Sequence, residues 1–130
     1  MQHLTFKWGG RGPISYDCIG LCNLIRRQHR QRPIDLAQVA WVYRDFPTLE
    51  AAPLDLVAQL AKTLAYPVES PQNFDLAVIT SVSGRSCLGT LVDGKVIFWG
   101  GERVAIVSRD KLVRRAIELQ WIRLRDTFLG

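Results

Sequence analysis

Histidine is the scarcest reactive residue in this chain of 130 residues, which carries only His3 and His29. Any chemistry that needs a general base near neutral pH has only these two imidazoles to draw on. No apolar run approaches the roughly 18 residues that a membrane-crossing helix requires, so no membrane insertion is expected. Met1-Gln2-His3-Leu4 lacks the charged-then-apolar pattern of a secretory leader, so the product is expected to stay in the cytosol or to leave by another route. Cysteine is sparse as well. Cys18, Cys22 and Cys87 are odd in number and match no disulfide or zinc framework. Cys18 and Cys22 stand one helical turn apart and would hold a metal only with further ligands, which two histidines and one distant cysteine supply poorly. No cofactor is expected.

Nearly half of the residues are hydrophobic (48%), enough for one domain over residues 1–130 to bury a core without staples. The net charge of +5 comes from clusters: Arg26-Arg27 with Arg30 and Arg32, Lys111 with Arg114-Arg115, and Arg123 with Arg125. The plain reading is solvated faces and helix C-terminal charges, and the excess eases contact with an acidic partner. The four tryptophans are scattered rather than interleaved with the basic residues as a stacking platform, so nucleic acid is not an expected partner.

The patterning is helical first and stranded later. From Asp17, a candidate cap, to Arg30, the apolar residues Cys18, Leu21, Cys22, Leu24 and Ile25 share one helical face, with Asn23, Arg26, Arg27 and Arg30 opposite. Asp35 can cap a second helix to about Phe46, and Pro53 opens a third running to Leu64. Pro67 and Pro71 then break the pattern. Strands are expected over 76–82, 86–92, 95–99, 103–107 and 119–124, with Asp93-Gly94 as a tight hairpin turn and a short helix from Ser108 to about Ala116. The expected architecture is α+β, with helices packed on one antiparallel sheet.

Cys18 follows the loop Trp8-Gly9-Gly10-Arg11-Gly12-Pro13 and opens the first helix, where the helix dipole favours a thiolate. It is therefore a candidate nucleophile, although a buried core cysteine is the alternative, and core is the expected place of Cys22. A nucleophile needs a base. His29 comes about three helical turns later, roughly 16 Å along the same helix, and cannot reach the thiol. His3 reaches it only if the N-terminus crosses the cleft.

The succession Phe6-Lys7-Trp8-Gly9-Gly10, Tyr16-Asp17-Cys18-Ile19-Gly20-Leu21, Phe74-Asp75-Leu76-Ala77-Val78-Ile79, Ser86-Cys87-Leu88-Gly89 and Asp93-Gly94-Lys95-Val96-Ile97-Phe98 resembles the NlpC-type papain-like cysteine peptidases that cut peptidoglycan stem peptides. The resemblance spans nearly the whole chain and implies a papain-like fold. Carried over by position, it puts the nucleophile at Cys18, the base at Cys87 and the residue that orients the base at Phe98. A thiol cannot take and return a proton as imidazole does, and a phenyl ring has no acceptor with which to fix an imidazole. Phe6 replaces the usual tyrosine and Ile19 the usual serine. Four such changes in one cleft imply lost catalysis.

If the family's geometry holds, the thiols of Cys18 and Cys87 lie close, which leaves open a disulfide between them. A single-domain member of this kind resembles the short versions found in bacteriophage tails. The resemblance then implies a structural protein of the tail or baseplate hub, located in the virion, assembled in the host cytoplasm and partnered by other hub proteins. Peptidoglycan would be a ligand only if activity survives. Two alternatives remain open: an active cysteine hydrolase with its base from His3 or a partner chain, and a cytosolic protein-binding pseudoenzyme.

Overall fold

The computed structural model describes residues 4–12, 15–116 and 118–130. Strands β1 (Thr5–Phe6) and β2 (Ser15–Tyr16) pair in parallel at the start of the fold. Helix α1 (Cys18–Gln28) follows at once, because the Asp17 carboxylate accepts from the Gly20 N–H at 2.8 Å and so caps the helix as its sequence predicts. Ile19, Leu21, Cys22 and Ile25 line its buried face.

The opposite face of α1 is not solvated as expected. Asn23 and Arg26 are both buried, because residues 31–34 fold back over them. The Asn23 amide donates to the Ile34 carbonyl at 3.2 Å, and its oxygen accepts from the Ile34 N–H at 2.8 Å. Arg26 donates through Nε to the Arg32 carbonyl at 2.5 Å. Only Arg27 and Arg30 of that set remain exposed.

The single helix expected over 35–46 is two pieces. Asp35 caps a 3-10 turn (Leu36–Gln38), and α2 (Ala40–Asp45) starts afresh after it. Bonds between residues three apart, Val39 to Leu36 and Val42 to Val39, tighten the backbone at the join, where Val39 and Val42 are both fully buried. Helix α3 (Leu56–Leu64) begins later than Pro53 and buries Leu56, Leu60, Ala61 and Leu64.

The main sheet has six antiparallel strands in the order β3-β8-β4-β5-β6-β7. They are β3 (Ala65–Pro67), β4 (Leu76–Thr80), β5 (Ser86–Val92), β6 (Lys95–Gly100), β7 (Arg103–Ser108) and β8 (Glu118–Leu124). The first of these is absent from the sequence expectations, and β4 stops short of Val82, which lies exposed in a turn. Asp93 and Gly94 both adopt positive φ (50° and 79°), the primed turn that their dipeptide predicts. Between β6 and β7 the first turn residue, Gly101, takes φ 77°.

Helix α4 (Arg109–Arg115), capped by Ser108, lies between β7 and β8 in sequence. The sheet is covered on both faces. Val78, Leu88, Ile122 and Leu124 pack with α1 and α3, and Ile97 and Trp99 pack with Leu21 and Ile25. Their alternates Ala77, Ile79, Leu91 and Val96 pack around Leu112 of α4. The chain is thus a mixed α/β domain with its first helices on one face of an antiparallel sheet and α4 on the other.

Candidate functional site

The N-terminal turn of α1 abuts β5, so the half-buried Cys18 sulfur accepts a hydrogen bond from the backbone N–H of Leu88. The sequence reading has the helix dipole lowering the thiol's pKa. The structure reverses this. Burial pushes the Cys18 thiol up to about 12, the charge of Cys87 adds to the rise, and the Leu88 bond only partly offsets it. Magnitudes explain the outcome. A helix dipole is worth about 0.3–1 kcal/mol at an ordinary site, whereas desolvation moves a buried thiol by several pKa units.

Cys87 is in electrostatic reach of Cys18 but packs differently. It stands opposite Ile79 and joins the apolar cluster beneath α4, with its thiol pushed up to about 11 by burial. Phe98 belongs to that same cluster, while its neighbours Ile97 and Trp99 face α1. Phe6 lies on the α1 side, edge-on to Trp99 with ring centroids 5.5 Å apart, and Ile19 is buried in the core. The positions read as base and orienting residue therefore pack with α4, and the nucleophile position packs with α1. Cys18, Cys22 and Cys87 all carry free thiols.

Among the described residues, no histidine is found at the thiol. His29 sits at the far end of α1, where its Nδ1 is 2.9 Å from the Ile25 carbonyl and its ring lies against Phe74. His3 lies outside the described residues.

The residue that sequence reasoning undervalued is Asp17. Beyond capping α1, its buried carboxylate accepts from Arg11 Nη1 at 2.7 Å, from the Gly9 N–H at 3.2 Å and from the hydroxyl of Tyr43 in a short bond. Its carbonyl accepts from Trp99 Nε1 at 3.2 Å. Arg11 in turn stacks over the Tyr43 ring at 4.5 Å, and Trp8 packs against the same ring with centroids 5.0 Å apart. Burial and the adjacent carboxylate both raise the pKa of the Tyr43 hydroxyl, so it is a donor throughout the physiological range. This cluster holds the glycine loop against the helix start. Gly20 is required there, since a Cβ would come within 2.4 Å of the Gly10 carbonyl oxygen. Asp17 is thus spent on structure, with its carboxylate already accepting four hydrogen bonds.

A polar pocket of about 270 Å³ opens elsewhere, at the far end of α1, lined by Arg26, Gln72, Asn73, Asp75 and Arg123 among others. In it Asp75 accepts a two-pronged bond from Arg123 at 2.9 and 2.8 Å. None of Cys18, Cys87 or Phe98 lines it. Among the described residues, no three His, Cys, Asp or Glu side chains gather as a set of metal ligands, and no helix is long and apolar enough to cross a membrane. Comparisons of the chain with protein-family models, with curated proteins and with solved structures give no match.

Proposed function

We propose that this chain is a non-catalytic structural component of a bacteriophage tail or baseplate hub, built on an NlpC-type papain-like fold that has lost its chemistry. The observation that carries the loss of chemistry is the state of Cys18: the thiol is held protonated by burial, and the position that the resemblance gives its base holds a thiol, Cys87, that packs with α4 instead. A nucleophile in that state offers less than one part in a thousand of thiolate at neutral pH. A cysteine at the start of a helix, set against an antiparallel strand that follows later in the chain, supports the papain-like reading, because that fold requires this juxtaposition.

A hydrolase fold kept without hydrolysis is kept for its surface. The arginine-rich exterior, on which Trp41 is exposed, suits packing against other proteins, since both residue types are enriched at interfaces. Hub partners are expected to bury about 800 Å² or more of this chain each, and the virion is its place of action. Isolation from purified particles tests the reading: the chain should occur at fixed stoichiometry beside tail-hub proteins. Recovery only as a free monomer, with no stable partner, would remove the structural role.

A further inference from the structure

The two edges of the main sheet are built differently. The edge strand β3 is three residues long and ends in Pro67, features that keep other strands from pairing. The opposite edge, β7, has no such protection. Its six residues pair with β6 in unbroken register from Gly100 opposite Arg103 to Lys95 opposite Ser108, so no bulge twists it away. Its centre, Val104-Ala105-Ile106-Val107, contains neither charge nor proline. Ile106 is 57% exposed, since it stands opposite Ile97 at a margin of the sheet that α1 does not cover.

The turn at Gly101-Glu102 makes Gly100 and Arg103 the closing pair, so alternation turns the N–H and C=O of Val104 and Ile106 away from β6. Among the described residues, no other backbone group pairs with them.

We propose that β7 is a docking strand that accepts an extended, acidic segment of a different protein by adding it to the sheet. Main-chain bonds at Val104 and Ile106 supply the register, and Ile106 supplies an apolar contact for alternate side chains of the incoming strand. Charge selects the partner. Across residues 102–116 the exposed basic residues Arg103, Lys111, Arg114 and Arg115 outnumber the acidic Glu102 and Asp110, while Arg109 lies over the Trp121 ring. A second copy fits less well. Antiparallel pairing centred on Ile106 brings Arg103 of each copy to the end of the other's β7, where the basic helix α4 begins, and the register centred on Ala105 sets Arg103 against Val107. The inference stands apart from the proposed hub role and holds whatever assembly the protein serves.

Selection from a displayed library of random peptides about ten residues long tests it. The chain should enrich acidic sequences with alternating apolar residues, and binding should protect the Val104 and Ile106 amides from hydrogen exchange. Ile106→Pro removes an outward N–H but no bond to β6, so it should leave the circular dichroism spectrum unchanged and weaken those peptides at least about tenfold. Val107→Pro, which removes a bond to β6, should instead disturb the fold. The proposal is overturned if no peptide is enriched, if enriched peptides are not acidic, if binding leaves the Val104 and Ile106 amides of the unaltered protein unprotected or survives Ile106→Pro undiminished, or if the strand serves only self-association, seen as a dimer in sedimentation that Ile106→Pro dissolves.

Discussion

The sulfur of Cys18 receives a hydrogen bond from the backbone N–H of Leu88, which immediately follows Cys87. This contact joins the start of α1 to β5, and burial there keeps the thiol protonated. Alkylation reads out the consequence. An unperturbed cysteine titrates near 8.5 and Cys18 at about 12, so iodoacetamide at pH 8 should modify Cys18 at least about 100-fold more slowly than a cysteine in a short peptide. Peptide mapping by mass spectrometry gives the rate for each cysteine. A rate equal to the peptide's would mean that the thiol is neither buried nor raised.

The same shift has a signature in stability. A thiol whose folded pKa lies above its unfolded value contributes stability that is complete below about pH 8.5 and is lost as pH rises through the folded value. The window therefore runs upward from about pH 8.5 to the folded value of about 12. Cys22, Cys87 and Tyr43 are raised too and act with the same sign. Denaturant midpoints measured from pH 7 to 10.5 should fall less steeply in Cys18→Ala than in the unaltered protein, while at pH 7 the substitution costs about 1 kcal/mol or somewhat more.

Asp17 should prove more costly to replace than the cysteine beside it. Asp17→Ala removes the cap of α1 and leaves the Arg11 guanidinium, the Tyr43 hydroxyl and the Gly9 N–H without their acceptor. A loss of about 3 kcal/mol is expected, against about 1 kcal/mol for Tyr43→Phe. Thermal unfolding of the two variants tests the order, and equal losses would show that the cluster contributes only a helix cap.

Gly20→Ala should destabilise the fold by about 1–3 kcal/mol although alanine favours helices, because the new methyl would meet the Gly10 carbonyl oxygen. A neutral or stabilising result in chemical denaturation would mean that the glycine loop can move off the helix.

Local signals were the legible ones. The Asp17 cap, the Asp93-Gly94 turn and the β-type run of residues 86–92 each lie within a few residues, and each element forms where its pattern falls. Strand β3 escaped because Pro67 reads as a breaker, yet an edge strand tolerates proline where its missing N–H would face solvent. The burial of Asn23 and Arg26 depends on residues 31–34 returning over α1, which no helical wheel of that segment contains. The same holds for Asp17: its partners Tyr43 and Trp99 come from α2 and β6. Thiol pKa was misjudged for a related reason, since dipole direction follows from helix position while burial follows from tertiary packing.

The central claim is that the fold has been kept and its chemistry lost, and digestion of peptidoglycan tests it most directly. Purified protein incubated with peptidoglycan and with soluble muropeptides at neutral pH, followed by mass spectrometry, should release no fragments beyond those seen with Cys18→Ala. Cleavage products that appear with the unaltered chain and vanish with Cys18→Ala would contradict the account and would require a base that reaches Cys18 in the working assembly.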